Sequence, residues 1–142
     1  METRRLGRTG LKVSFMGMGG IPIQRIDKEG AVRVLEAAIS SGMNFFDTAR
    51  GYSDSEEKFG SVLGPRHSEV IIATKSMART KEGMATDIET SLSNLQVEFI
   101  DLYQLHNVRT KKDLAQVLAP NGALVALQEA QAAGKVRHIG IT

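Results

Sequence analysis

Apolar residues follow two different spacings along the chain, and the two spacings alternate. Short apolar runs that end at glycine or at a polar residue predict strands, whereas apolar residues three and four positions apart predict amphipathic helices. One such helical stripe begins after Asp27, a residue that can cap a helix, and ends before Gly42. It consists of Ala31, Val34, Leu35 and Ala38.

The whole chain can be divided in this way. Strands are predicted at 14–20, 44–48, 70–74, 99–106 and 136–141, and helices after Asp27 and at 55–63, 81–95 and 122–133. Gly7 and Gly10 predict a small hairpin over residues 4–13. Residues 107–121 form a polar connection with room for a short helix. The strand at 70–74 is continuously apolar, which is typical of a parallel strand buried on both faces.

The alternation predicts an α/β protein whose parallel strands are joined by right-handed crossovers. Two architectures satisfy it, a doubly wound open sheet and a (β/α)₈ barrel. A dinucleotide-binding doubly wound fold would carry Gly-x-Gly-x-x-Gly after its first strand. Here Gly17, Gly19 and Gly20 are followed by Pro22, so that motif is incomplete. The 142 residues contain no linker or low-complexity segment, and we expect one domain.

Composition excludes several functional classes. The 18 basic and 16 acidic residues are scattered and give a formal charge of +2, so a nucleic-acid partner is not expected. The chain has no cysteine, which removes disulfides, thiolate metal sites and cysteine nucleophiles. No apolar run approaches the length of a membrane span, and no secretory signal is visible at the start. We expect a cytoplasmic protein without a membrane partner.

Polar residues terminate three of the predicted strands. Asp47, Lys75 and His106 each stand at the carboxyl end of a strand, and Tyr52 follows in the loop after Asp47. In a parallel barrel all carboxyl ends open on one face, where active sites lie. The four side chains would therefore share one mouth.

Each of the four also has a purely structural interpretation. Asp47 could cap a helix or be a buried, hydrogen-bonded carboxylate, and Lys75 could simply reach solvent. His106 could be an ordinary strand-end histidine, and Tyr52 could pack on the rim. It is improbable that four unrelated polar side chains would lie at the same end of consecutive elements by chance, and this favours a shared site. His67 lies in a polar turn and is expected to be solvated, and we predict no metal site.

The motifs around these residues resemble those of the aldo-keto reductase family. The stretch from Phe45 to Tyr52 resembles the family signature Asp-Thr-Ala-x-x-Tyr, and Ala73-Thr74-Lys75 resembles its lysine strand. The segments Asp101–His106 and His138–Thr142 resemble its fourth and fifth strands. Ser53 stands where many members have glycine. The residues of these motifs are similar to those of a bacterial and archaeal branch of the family, whose members often carry a C-terminal iron–sulfur extension.

This resemblance implies an α/β fold of the (β/α)₈ TIM-barrel type. Residues 1–142 would be the N-terminal portion of a single barrel domain, with the first five strands and four helices preceded by the short hairpin. The implied activity is reduction of an aldehyde or ketone by NADPH, or by NADH, or the reverse oxidation of an alcohol. The substrate would be a small molecule.

The resemblance also implies a role for each residue of the site. Tyr52 would donate the proton, and the Lys75 ammonium would favour the phenolate, because a free phenol is a poor proton donor at neutral pH. Asp47 would orient Lys75, and His106 would donate a hydrogen bond to the carbonyl oxygen. The cofactor contacts implied are Gly19, Gly20, Ile21, Asp47 and Thr142, and the substrate contacts are Tyr52, His106 and Asn107.

Length bears on how much activity to expect. A (β/α)₈ barrel typically needs about 250 residues, and the fifth predicted strand ends near Thr142. We therefore expect the isolated chain to be a weak or inactive reductase. One alternative is a non-catalytic, truncated half barrel that associates with itself through exposed edge strands. A metal-dependent hydrolase is a further alternative, but its ligands would be closely spaced, and the three histidines lie far apart.

Overall fold

A computed structural model describes all 142 residues and contains seven strands and five α-helices. The strands are β1 (Thr3–Arg5), β2 (Lys12–Ser14), β3 (Met18–Gly19), β4 (Phe45–Asp47), β5 (Ile71–Ser76), β6 (Ile100–Leu105) and β7 (Val136–Ile141). The helices are α1 (Lys28–Ser40), α2 (Ser55–Leu63), α3 (Lys81–Leu95), α4 (Lys111–Leu118) and α5 (Ala123–Ala132). No helix is both long enough and apolar enough to cross a membrane.

The order of the strands decides between the two architectures. Strands β3 to β7 form one parallel sheet in which each strand pairs with the next along the chain, while β1 and β2 form a separate antiparallel hairpin. A doubly wound sheet reverses its strand order and carries helices on both faces. A strand order that never reverses, joined by crossovers of one hand, puts all helices on one face, as in a barrel. The predicted barrel-type fold with an N-terminal hairpin is confirmed.

The helices form one layer, and the core lies between this layer and the sheet. Contacts run from α1 to α2, from α2 to α3, from α3 to α5 and from α5 to α4. Phe46 of β4 is fully buried and meets the ring of Phe59 edge-on, with ring centroids 6.2 Å apart. Alternate residues of each strand face the helices, which leaves the other set facing the opposite side of the sheet.

Local signals fix the ends of the helices. Asp27 caps α1, its carboxylate accepting a hydrogen bond from the backbone N–H of Gly30 at 2.7 Å, as the sequence predicts. Thr110 and Asp113 form a capping box at the start of α4. This box begins a helix inside the polar connection after β6, so five α-helices are present rather than four.

The first strand of the sheet is shorter than its apolar pattern predicts. Residues 14–20 read as one strand, but Ser14 belongs to the hairpin, where it exchanges hydrogen bonds with Asn44. Only Met18 and Gly19 pair with β4. The chain changes direction between Ser14 and Met18 because it leaves an antiparallel pair and enters a parallel sheet.

Candidate active site

The carboxyl ends of the five parallel strands surround an open cavity of about 710 Å³. In-register pairing places Asp47 beside Ala73 and Lys75 beside Gln104, so that the strand ends meet at one rim. The cavity is lined by Gly17, Met18, Gly19, Phe45, Asp47, Lys75, Gln104, His106, Asn107, Arg109 and Thr142.

Lys75 and Asp47 form an ion pair at this rim. The Lys75 ammonium donates to Asp47 Oδ2 at 2.5 Å and to the carbonyl oxygen of Thr48 at 2.8 Å. The lysine side chain is only 7% exposed, so it does not simply reach solvent. A buried ammonium is stable only when it is paired and hydrogen-bonded, and Asp47 and Thr48 meet both needs.

Tyr52 and His106 lie next to this ion pair. The Lys75 ammonium is 5.2 Å from the centre of the Tyr52 ring, and the Tyr52 and His106 rings meet edge-on with centroids 5.9 Å apart. Tyr52 belongs to the loop between β4 and α2, whereas His106 directly follows β6. The four side chains are thus grouped at one rim. Asp47, Lys75 and His106 line the cavity, whereas Tyr52 contacts Lys75 and His106 without lining it.

The surroundings of His106 favour its neutral form. Burial is the main cause that lowers the pKa of His106, and the positive charge of Lys75 lowers it further, while Asp47 acts in the opposite direction. Nδ1 of the ring is buried and has no hydrogen-bond partner. A neutral ring that carries its proton on Nε2 avoids burying an unsatisfied N–H and leaves that donor available.

The backbone after His106 is held in place by Arg79. Its guanidinium donates to the carbonyl oxygens of His106 and Asn107, both at 3.0 Å. Asn107 has a positive φ of 62°, and its backbone N–H donates to Thr142 Oγ1 at 3.0 Å. Asn107 and Thr142 are therefore fixed against each other at the edge of the cavity.

A buried carboxylate anchors the loop that carries Tyr52. Glu56 is 1% exposed and accepts hydrogen bonds from Arg50 at 2.7 Å, Thr74 at 2.8 Å and Ser91 at 2.7 Å. The backbone N–H of Arg50 also donates to the carbonyl oxygen of Lys75. The loop is thereby tied to β5 at Thr74 and Lys75. Nothing in the sequence signals that this glutamate is buried.

Ser53 follows Tyr52 with a φ of +43°, in the left-handed region. This conformation explains why glycine suits the position, since glycine adopts it without strain. The serine is held there by a hydrogen bond from its hydroxyl to Gln24 Oε1 at 3.1 Å.

The residues suggested as cofactor contacts divide into two groups. Gly19 and Thr142 line the cavity, and a Cβ on Gly19 would meet nothing within 4 Å. Gly20 is buried instead, and a Cβ there would lie 2.6 Å from Ser55 Oγ, so this glycine is needed for packing. Ile21 is 50% exposed and does not line the cavity.

Two polar side chains that line the cavity, those of Gln104 and Arg109, are not among the predicted site residues. A signal for Gln104 exists, because the two-residue period of a strand puts Leu102, Gln104 and His106 on the same face. Gln104 is the polar residue that precedes His106 on that face. Arg109 lies in the loop beyond the strand, where periodicity gives no guidance.

The expectation that His67 is simply solvated is wrong. Its side chain is 11% exposed, and its Nε2 lies 2.9 Å from Asp101 Oδ2. Its ring also stacks on Phe99, with centroids 4.4 Å apart. This cluster lies near the starts of β5 and β6, at the end of the sheet opposite the cavity, where it contributes to stability.

The comparison with protein families agrees with this geometry. A sequence profile described as the Aldo/keto reductase family matches residues 15–142. The chain belongs to this family. Its five parallel strands and their helices match half of an aldo-keto reductase TIM barrel.

Individual aldo-keto reductases are similar over the whole of this chain. L-Galactose dehydrogenase of Arabidopsis thaliana is 36% identical, and the alignment covers 100% of this chain and 48% of the relative. The holo form of an aldo-keto reductase from Bacillus halodurans has a TM-score of 0.88 at 30% identity, over 100% of this chain and 50% of that one.

A solved structure shows which cofactor one relative binds. An aldo/keto reductase from Klebsiella pneumoniae, crystallised with NADP and acetate, has a TM-score of 0.82 at 27% identity, over 99% of this chain and 49% of that one. The chain therefore spans about half the length of the relatives it matches. Family members act on small carbonyl compounds with a nicotinamide cofactor.

Proposed function

We propose that this chain carries the catalytic residues of an NADPH-dependent oxidoreductase that reduces the carbonyl group of a small aldehyde or ketone. Residues 1–142 would be the N-terminal portion of a single barrel domain. The observation that carries the proposal is the partly buried contact between Lys75 and Asp47, 2.5 Å long, beside Tyr52 and His106 at the rim of one cavity.

The residues of the cavity suit the nicotinamide end of such a cofactor. Gly19 leaves open space beside β3, the first strand of the sheet, and Thr142 brings a hydroxyl to the opposite edge, after β7. Asp47 lines the cavity between them. When it is bound, the cofactor supplies the hydride that is added to the carbonyl carbon. NADH would supply the same chemistry.

The side chains of this chain handle the proton and the developing charge. Tyr52 donates its phenolic proton to the carbonyl oxygen as the alkoxide forms. The Lys75 ammonium stabilises the phenolate that remains, and Asp47 keeps this ammonium beneath the ring. The neutral His106 donates a hydrogen bond from Nε2 to the same oxygen, which places a donor where negative charge appears. Asn107 would contact the substrate at the rim.

The proton-donor role is tested by removing one hydroxyl. We expect Tyr52→Phe, made in the reading frame continued past Thr142, to lower NADPH-dependent reduction of an aldehyde roughly 100- to 10,000-fold. The assay is the rate of NADPH consumption. The matched control is Tyr103→Phe, which removes the only other tyrosine hydroxyl, one that contacts Ser91 on the helical side of the sheet. Equal rates in the Tyr52 variant and the parent would contradict the role.

The isolated 142-residue chain should turn over weakly or not at all. Its cavity is open, and the terminal strands β3 and β7 each pair with a neighbour on one side only. Water therefore reaches the reacting groups, and the cofactor is held along only part of its length. Turnover by the isolated chain equal to that of the continued protein would show that these residues suffice.

A second function has a specific observation in its favour. Strands β3 and β7 each pair on one side only, and Ile141 on β7 is 55% exposed. Unpaired strand edges of this kind template pairing with another chain. We propose, as the alternative, that the isolated chain is a non-catalytic half barrel that associates with itself through these edges.

A further inference from the structure

Gln104 occupies a central position on the cavity side of the sheet. It lies on β6, in register with Lys75 of β5 on one side and with Gly140 of β7 on the other. Its side chain lines the same cavity as Asp47, Lys75 and His106. Removing a side-chain amide from water costs free energy unless the amide forms hydrogen bonds, so Gln104 needs a hydrogen-bond partner here.

The partner of Gln104 is the Asp47 carboxylate. Gln104 Nε2 donates to Asp47 Oδ1 at 3.3 Å, while the Lys75 ammonium takes the other oxygen, Oδ2, at 2.5 Å. The carboxylate is therefore held from two strands at once, by a neutral donor on one oxygen and a charged donor on the other. With only one donor, it could rotate about its terminal bond, because such bonds have broad torsional wells.

The neighbouring strand leaves space for this arrangement. A Cβ added to Gly140 would lie 2.9 Å from Gln104 Cγ and 3.2 Å from Leu102 Cδ1. The missing side chain on β7 lets the glutamine extend across the sheet towards Asp47. Gly140 does not have a positive φ, so the open space, not an unusual backbone conformation, is what glycine provides here.

We propose that Gln104 is a positioning residue: its amide fixes the Asp47 carboxylate so that Oδ2 stays on the Lys75 ammonium and the ammonium stays beneath Tyr52. The proposal rests on the proposed function for its catalytic consequence. Leucine, of similar size, would fill the same space without donating. Glutamate would place a second carboxylate next to Asp47 and compete for the ammonium.

The first test needs no catalytic activity. In ¹⁵N spectra of the isolated chain, a buried and hydrogen-bonded ammonium exchanges its protons slowly enough to be observed. Two lysines qualify, Lys75 and Lys58, whose ammonium is held by the carbonyl oxygens of Ile23 and Ile26 and by Asp54. Lys58 lies on the helical layer, away from Gln104, and serves as an internal control in the same sample.

We expect Gln104→Leu to broaden or abolish the Lys75 ammonium signal and to leave the Lys58 signal unchanged. Gly140→Ala should act in the same direction without altering Gln104, because its new methyl group meets a flexible side chain that can move aside. Gln116→Leu, an exposed position on α4, is the matched control and should change neither signal. Retention of the Lys75 signal in Gln104→Leu, or loss of both lysine signals, would overturn the proposal.

The second test uses the continued reading frame. Gln104→Leu should lower kcat about ten-fold, the equivalent of one hydrogen bond, with KM changed less than about three-fold. Gln104→Glu should lower kcat further. A change in KM alone would assign Gln104 to substrate binding and overturn the positioning role. If the parent protein reduces no carbonyl compound, the proposed function fails, while the ammonium spectra still decide whether Gln104 positions Lys75.

Discussion

At the scale of single residues, the positive charge of Lys75 affects the pKa of its neighbour His106. His106 has a lowered pKa, first because it is buried and then because the Lys75 ammonium opposes a second positive charge nearby. Arg79 and Arg109 act in the same direction with smaller effects. The histidine is therefore neutral at neutral pH, which is the form suited to donating a hydrogen bond without delivering a proton.

Removal of the lysine charge should be visible at the histidine. We expect Lys75→Met to raise the pKa of His106, though not fully to its ordinary value, because burial remains. The measurement is a titration of the His106 ring protons by NMR in the isolated chain. Lys81→Met removes an ammonium that pairs with Glu129 on the surface and should leave the titration unchanged. An unchanged pKa in Lys75→Met would mean that the ammonium is not close to the ring.

The lowered pKa of His106 also makes the free energy of unfolding depend on pH. The folded-state pKa of His106 is lowered, so below the ordinary value of about 6.5 the unfolded chain binds more protons than the folded one. Stability should therefore fall as the pH drops from about 6.5 towards the folded-state pKa, with no contribution from His106 above this window. Urea denaturation at several pH values should show a shallower fall for His106→Gln. Identical slopes in parent and variant would refute the argument.

The sequence predicts a site residue when a local pattern, such as a polar residue at the end of an apolar strand, marks its position. Asp47, Lys75 and His106 could be found because each ends a strand, where a polar group interrupts an apolar run. Gln104 could be missed because it lies within a strand. Glu56 and His67 could not be recognised as buried, since charged and polar side chains enter a core only where partners meet them, and those partners are distant along the chain.

At the scale of secondary-structure elements, α2 and α3 pack at Gly60. A Cβ on this glycine would overlap the backbone carbonyl of Asn94 and would lie 2.8 Å from the Cα of Leu95. The two helices approach this closely because no side chain separates them.

We expect Gly60→Ala to lower the free energy of unfolding by at least about 1 kcal/mol, because overpacking against backbone outweighs the better helix propensity of alanine. Chemical denaturation of the isolated chain measures the change. Gly51→Ala, where a Cβ would meet nothing within 4 Å, is the control and should change stability by less than about 1 kcal/mol. A Gly60 variant as stable as its parent would show that α2 and α3 can separate without cost.

Elements with strong local signals are predicted to the residue. The bounds of α2, α3 and β7 agree with the sequence. Gly64 and Pro65 stop α2, and Gly134 precedes β7, whereas α3 ends at Gln96 in a left-handed conformation, so that its predicted end rests on periodicity alone. The strand before Gly20 is overestimated because an apolar run cannot reveal that Ser14 pairs with a different sheet from Met18. Strand partners are a property of distant residues, and local patterns do not encode them.

At the scale of the whole molecule, we expect the open edges of the sheet to control association of the isolated chain. Strands β3 and β7 have unpaired backbone groups on their outer sides. We expect the isolated chain to sediment as a concentration-dependent mixture of monomers and larger species. Ile141→Lys should shift this mixture towards monomer, since lysine on an edge strand blocks pairing. Leu118→Lys is the control, because Leu118 has the same 55% exposure but lies on α4.

The whole fold is predicted only in part by the residue pattern. Alternation of strands and helices predicts parallel strands but leaves two architectures open, and the resemblance of the Asp47–Tyr52 motif chooses between them. The structure makes the same choice on a different ground, the unbroken order of strands from β3 to β7.

If the isolated chain stays monomeric at all concentrations, the prediction that the strand edges pair is wrong, but the strand order is unaffected.

The two ends of the chain lie in different surroundings. Leu11 of the N-terminal hairpin faces His67, Ile71 and Phe99 at the starts of the strands, and the amino group of Met1 lies next to Gly42. Thr142 lines the cavity at the opposite end. On the isolated chain, an affinity tag, a fluorescent reporter or a tether to a solid support should therefore be attached before Met1, because the same addition after Thr142 would start at the wall of the cavity.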